Sequence, residues 1–346
     1  MSTSEERPKI VYIEWLRALA AFAVVGIHIT MTEPNNCSVA QIGKSNYMAL
    51  TSVYALVQWA VPVFLMISGG LLLRAKSISM AKVKKYIARM FFVLLMFGTV
   101  YSILELVFSE RRLSLPMLYK GIIMTFEGKS WSHLWYLYVL IGIYIILIPL
   151  KVYVDHIELR EVASFITVLI VGNFLIPTLN ILLGVEIKNL MVLTQYVTYF
   201  LIGYVLAGIS NTKWGGVIWI SVYLGTSIIK IVIQCATVIR TGEGSELFLN
   251  DRILTLFQAI AVYMYIMNVA KSRKLNKIIK SIGDCSFGIY LIHPFFINFL
   301  YKVLRITPTG FMAIYISIPL LWIIVFCVSW IGTLAMKKIP VFNRIL

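Results

Sequence analysis

Arg17 and His28 lie in one apolar run, IVYIEWLRALAAFAVVGIHITM at positions 10–31, with ten residues between them. Eleven steps at ~3.6 residues per turn make about three turns, so on a helix both side chains share one face, roughly 16 Å apart along the axis. That is about half of a ~30 Å hydrocarbon core. An arginine inside a span costs ~2.5 kcal/mol or more and normally faces a polar interior. Glu14, one turn before Arg17, is placed to pair with it. An imidazole titrating near ~6.5 is suited to general-base or nucleophilic work, and a fixed guanidinium is suited to holding an anion. Taken singly, Arg17 also fits snorkelling to the headgroups, and His28 also fits a neutral residue bridging helices. Together on one face they point to a functional path, with Glu14, Arg17 and His28 as the candidate catalytic set.

The rest of the chain reads as the scaffold that positions them. It has 346 residues, 60% hydrophobic and 13% charged, with a mean hydropathy of +0.87. That composition defines an all-α polytopic membrane protein. The longest polar gaps are near 20 residues, far short of a ~100-residue soluble fold. A single integral membrane domain over residues 1–346 is therefore expected. The first apolar run is too long, and lacks the small-residue site, for a cleavable signal peptide.

Ten spans are expected, at roughly 10–31, 50–73, 87–108, 133–154, 162–184, 190–210, 214–237, 252–270, 287–304 and 311–335. With the N-terminus inside, the loops on that side hold 19 Lys and Arg against 10 outside, and Arg17 and Lys230 fall within spans. This asymmetry places both termini in the cytoplasm. The same rule accounts for the net charge of +16 without a nucleic-acid partner. The four cysteines show no metal spacing; Cys37 and Cys235 fall on the outer side, which leaves a disulfide open. No P-loop, GxGxxG after a strand or HExxH is present, so neither a nucleotide nor a metal site is expected.

Other positions stand out along the chain. The second span contains Pro62 and ends in Ser68-Gly69-Gly70, which reads equally as a kink with a packing notch or as a ligand contact. The connection after it carries Arg74, Lys76, Lys82, Lys84, Lys85 and Arg89. These could serve as a topology signal, attract anionic lipid, or hold a phosphate-rich ligand. Residues 115–126 read as an interfacial helix leading to His133, Trp135 and Tyr136. The two aromatics suit interface anchors, and His133 enters from the side where His28 ends. Asn173, Pro177 and Asn180 predict a broken fifth span. Lys230, with Gln234 one turn on, is an intramembrane cation, and the loop TGEGSELFLND reads as mobile. His293-Pro294 predicts a helix break, with the histidine either a ligand contact or a structural hydrogen-bonder.

Four segments in order, IEWLRALAAFAVVGIH, VPVFLMISGGLLL, HLWYLYVLIGIYIILIPL and SFGIYLIHPFF, resemble the bacterial membrane acyltransferase-3 family. The resemblance runs nearly end to end, and Arg-x10-His is its most specific element. It implies a ten-helix fold in the bacterial cell membrane. It also implies transfer of an acyl group, often acetyl, from cytoplasmic acyl-CoA to a hydroxyl of a cell-surface or lipid-linked glycan at the outer face. Arg17 and His28 carry over as the essential pair, with His28 either base or acylated nucleophile. Arg17, Ser68, Lys85 and Arg89 become candidate acyl-CoA contacts. His133, Trp135, Tyr136 and His293 become candidate acceptor contacts. Where family members often show Arg-x-x-Arg, this chain has Tyr86 before Arg89. It resembles the stand-alone type, without a fused extracellular hydrolase-like domain. It is also similar to the membrane part of membrane-bound serine racemases. That likeness keeps a second expectation in view, a transporter of a small substrate such as an amino acid or a glycan. A scaffold role leaves Arg17 and His28 without a purpose.

Overall fold

In hydrocarbon, backbone polar groups must be satisfied within the segment, so long apolar runs fold as helices. The computed structural model describes residues 10–185, 187, 194–209, 214–244, 252–270 and 273–346, and all regular structure among them is helical. Residues 245–251 of the acidic loop and Lys271 of the basic one lie outside the described residues.

In chain order the helices are α1 (Val11–Met31), α2 (Val39–Ile42), α3 (Lys44–Val57), α4 (Ala60–Leu73), α5 (Met80–Glu110), α6 (Pro116–Phe126), α7 (Trp135–Ile145) and α8 (Leu147–His156). They continue as α9 (Leu159–Ile170), α10 (Ile176–Leu183), α11 (Gln195–Leu206), α12 (Gly215–Thr241), α13 (Ile253–Ala270), α14 (Lys277–Asn298), α15 (Pro308–Phe311), α16 (Ile314–Met336) and α17 (Pro340–Ile345). Local chemistry marks their ends. Ser79 Oγ accepts from Lys82 N at the start of α5, and Asn276 Oδ1 accepts from Ile278 N at the start of α14. Gly242 closes α12 in the left-handed region at φ 74°.

Among the described residues, seven helical segments are long and apolar enough to cross a membrane, or eight with one bent pair. The other two expected spans correspond to the 12-residue α11 and to α14, which opens on charged residues. Prolines explain two interruptions. Pro62 clashes with the carbonyl of Gln58, where α3 gives way to α4. Pro149 does the same to Ile145, and α7 and α8 meet there at 53°. The predicted interruption of span five is a π-turn at Val171–Leu175. Within it Asn173 Nδ2 donates to Leu169 O at 3.0 Å and to Thr194 Oγ1 at 2.8 Å.

One expectation is corrected, and the disulfide left open is not formed. α14 runs unbroken through Pro294. In membrane helices neighbours re-satisfy the freed backbone groups, and α14 packs along both α1 and α16. Cys37 and Cys235 are free thiols, and Cys235 Sγ lies 3.9 Å from Ser52 Oγ.

The helices form two compact units. The first comprises the chain up to Leu71 together with Ala163–Lys338; the second comprises Leu72–Val162 and Ile339–Ile345. In the first unit, α1, α14 and α16 share an apolar core built from Ala18, Ala21, Val25 and Ile29, Cys285 and Ile289, and Leu321 and Val325. Phe22 stacks on Trp322 at 4.5 Å, and the indole Nε1 donates to Phe22 O at 2.7 Å. Such a pair contributes ~0.5–1.5 kcal/mol beyond area burial. α1 and α14 run parallel, because Glu14 meets Gly283 at one end and His28 meets His293 further along. α16 runs the opposite way, and its Lys337 Nζ donates to Asp284 O near the start of α1. Elsewhere in this unit α4 and α11 cross at van der Waals contact. A Cβ on Gly69 would overlap the Phe200 carbonyl, and one on Gly203 would overlap that of Met66. α12 turns Leu224, Ile228, Ile229 and Val232 outward, as a lipid solvent requires.

In the second unit α5 carries α6 and α7. Thr125 of α6 packs where a side chain on Gly98 would sit, Ser130 Oγ donates to Gly98 O at 2.9 Å, and Tyr138 Oη donates to Thr125 O. A helix, α6, lies where 115–126 was expected to form one, and around it Leu115, Leu118, Tyr119 and Phe126 are exposed.

Candidate active site

Helix α1 brings three ionisable groups to the first unit. Arg17 Nη1 donates to Glu14 Oε1 at 3.2 Å, with Glu14 only 3% exposed and the Arg17 side chain 33% exposed. The carboxylate is therefore the buried anchor, and the Arg17 side chain remains partly accessible. Gly283 makes the anchor fit, because a methyl there would overlap Glu14 Oε2. Leaving a buried charge without its partner costs ~3–5 kcal/mol, so the two residues act as a unit.

His28 is half-buried, about three turns further along α1. Its ring lies 4.9 Å from that of His293 on α14, tilted by 49°. His293 is fully buried, and its Nδ1 lies 2.9 Å from Ile289 O. A carbonyl can only accept, so Nδ1 carries the proton and Nε2 carries the lone pair of the neutral ring. The same end of α1 is tied down by Tyr301, whose hydroxyl donates to Ile29 O at 3.0 Å. Glu33 beyond it accepts from Thr309 N at 3.2 Å and from Thr309 Oγ1 at 2.5 Å.

Ser68 donates to Phe64 O on its own helix at 2.9 Å. Its neighbours Gly69 and Gly70 both face α11, so the packing-notch reading of Ser-Gly-Gly is the one these glycines realise. Lys230 is 1% exposed, and its Nζ lies 2.7 Å from Gln58 Oε1, 3.3 Å from Thr255 Oγ1 and 3.3 Å from Gln258 Oε1. Gln258 Nε2 in turn donates to Ser227 Oγ at 2.8 Å and to Ala55 O at 2.9 Å. The intramembrane lysine is thus held by side-chain oxygens of Gln58, at the end of α3, and of α13.

The second unit holds the remaining candidates. Lys85 is exposed on α5. Arg89 points to α17, donating to Ile345 O from Nε at 3.1 Å and from Nη2 at 2.9 Å. Two of its five donors therefore hold chain rather than ligand. Arg89→Ala is expected to speed proteolytic cleavage within α17 about tenfold, read by mass spectrometry of a limited digest. An unchanged cleavage rate would return Arg89 to a purely ligand-facing role.

His133 is buried in the tight turn Ser132–Leu134, its ring 5.5 Å from Tyr101 and 6.5 Å from Trp131. Trp135 is half-buried and meets the buried Tyr136 edge-on at 6.1 Å. Around His133 the structure adds three residues that sequence reasoning missed. Trp131 stacks flat on Tyr101 at 4.2 Å, and its Nε1 donates to Glu105 Oε2 at 3.1 Å. The available signal was Glu105 itself, an acid inside the apolar run YSILELVF. Among the described residues no three His, Cys, Asp or Glu side chains gather as a metal site would need.

Apolar helices enclosing a braced Arg–Glu pair and two facing imidazoles define a multi-pass membrane protein with an ionisable interior. The acyltransferase-3 family model, described as an acyltransferase domain, matches residues 10–337, and the chain belongs to that family. It is a membrane acyltransferase. Comparison with curated proteins and with solved structures found no match.

Proposed function

We propose that this protein transfers an acyl group, acetyl in the first instance, from cytoplasmic acyl-CoA to a hydroxyl of a cell-surface or lipid-linked glycan. Transfer takes place across the bacterial cell membrane, with both chain termini cytoplasmic and residues 1–346 working as one domain. The observation that carries this reading is the placement on α1 of a braced, partly accessible arginine and, three turns on, a half-buried imidazole.

The chemistry divides along that helix. Arg17, fixed by Glu14, offers a permanent positive charge to a CoA phosphate, roughly 16 Å from His28 along the helix. Ser68 of the first unit, and Lys85 and Arg89 of the second, are the further candidate acyl-CoA contacts. His28 takes the proton from the acceptor hydroxyl as its oxygen bonds to the thioester carbonyl carbon; the C–S bond breaks, and the proton passes to the departing thiolate. Positioned general bases contribute ~10²–10⁴. His133, Trp135 and Tyr136 serve the acceptor, joined by Trp131 and Tyr101.

The test is CoA release from acetyl-CoA by the purified protein in nanodiscs, with water as the surrogate acceptor. Slow release by the wild type is expected. Neither release nor binding of acetyl-CoA, alongside serine accumulation by proteoliposomes, would overturn acyl transfer in favour of transport.

A further inference from the structure

His293 is buried, is not part of the Arg-x10-His signature, and lies 265 residues from His28, yet the two rings are 4.9 Å apart. Its own orientation is fixed by a bond that needs nothing from substrate, Nδ1–H to Ile289 O at 2.9 Å along α14. In the neutral ring this leaves Nε2 as the acceptor nitrogen.

We propose that His293 is a positioning residue acting through His28: the structure brings the two rings to 4.9 Å without a hydrogen bond at His293 Nε2, and a small ring rotation in the working enzyme lets that nitrogen accept the N–H of one His28 ring nitrogen, which leaves the lone pair of the other nitrogen toward the acceptor hydroxyl. The inference rests on the acyl-transfer reading above and adds a second imidazole to it. As the hydroxyl proton arrives on His28, the proton on its far nitrogen is shared with His293. The positive charge then spreads over two rings instead of one. When the C–S bond has broken, the thiolate takes the proton from His28 and both rings return to neutral. No proton is gained or lost by the pair over a cycle. Three features support this arrangement. The α1–α14 packing is extensive, so the ring separation is held by two long parallel helices. His28 is half-buried while His293 is fully buried, the order expected of a group that meets substrate and a group behind it. Tyr301 fixes the next residue of α1 through Ile29 O, which limits rotation of the turn that carries His28.

Two substitutions separate this role from simple packing. Asn at 293 retains a donor near the Nδ1 position for Ile289 O but reaches no further. Gln places an acceptor oxygen near the Nε2 position. For CoA release from acetyl-CoA, His293→Ala and His293→Asn are expected to lower kcat about 10- to 100-fold with KM within about twofold. His293→Gln is expected to recover several-fold over Ala. The chain has four histidines, so ring-15N-histidine NMR in nanodiscs resolves His28 by single substitution. His28 is expected to hold one tautomer in the wild type and a mixture in His293→Ala. Turnover by His293→Ala at the wild-type rate, rescue by Asn rather than Gln, or an unchanged His28 tautomer would overturn the inference. A wild type that releases no CoA overturns the acyl-transfer reading instead, and the tautomer measurement still decides whether the rings are coupled.

Discussion

CoA release falls about 10²- to 10³-fold in His28→Ala, while the folded protein is retained. The loss follows from removing the one group on α1 able to take a proton beside the acceptor. General-base contributions span ~10²–10⁴, and water in the vacated space recovers only part of that. The effect belongs in kcat, because acyl-CoA is held from the Arg17 end, roughly 16 Å along the same helix. Arg17→Ala is the contrasting case, in which KM for acetyl-CoA rises and Glu14 is left as a buried charge. Stability separates the two further. His28 is half-buried, and the neighbouring apolar core does not include it, so its truncation leaves the melting temperature within a few degrees. Steady-state kinetics with a thermal scan on the same preparation checks both parts. Wild-type kcat in His28→Ala would remove this residue from the chemistry.

The second large effect concerns assembly. One chemical change, glycine to alanine, is expected to act oppositely at two helical positions of the first unit. At Gly203 the added methyl would overlap the carbonyl of Met66, and no rotamer relieves a clash between a Cβ and a backbone. α4 and α11 must separate, and separation also undoes the reciprocal contact of Gly69 with Phe200. Overpacking ordinarily costs ~1–3 kcal/mol when side chains can shift, so a fall of about 10 °C in Tm or loss of the monodisperse peak is expected here. At Gly225 on α12 nothing lies within 4 Å of the added methyl. There alanine gains ~0.5–1 kcal/mol of helix preference and Tm holds or rises. Fluorescence-detected size exclusion of both variants reads the difference, and equal behaviour would refute the close crossing.

How much of this was legible in the sequence depended on whether a feature is local. The shared face of Arg17 and His28, and the Glu14–Arg17 pair, follow from helical period alone, and the structure shows that pair at 3.2 Å. The helix α6 and the interruption near Asn173 were legible for the same reason. Features fixed by distant partners were not. Nothing near His293 announces that it lies against His28, because the contact is created by packing α14 along α1. The dipeptide His293-Pro294 even pointed the wrong way, since local preference before proline was overridden by the neighbouring helices. Pro62 and Pro149, by contrast, interrupt their spans as proline chemistry demands. The Ser-Gly-Gly run left two readings open, and only the facing carbonyls of α11 decide for packing at Gly69 and Gly70. The Tyr101–Trp131–Glu105 cluster required knowing that α5 and the turn before α7 meet.

The Lys230 cluster has a consequence for how the chain is made. Its partner Gln58, at the end of α3, is synthesised long before α12 emerges, but Thr255 and Gln258 follow Lys230 by 25 and 28 residues. At ~5–20 residues per second the ammonium waits roughly 1–5 s at the ribosome for them. A lysine at the middle of a span opposes translocon insertion by ~2.5–3.5 kcal/mol, which offsets much of what the Ile, Val and Leu side chains of α12 gain. Insertion of α12 together with α13 as a hairpin would avoid that cost, because two of the three oxygens around Lys230 Nζ come from α13.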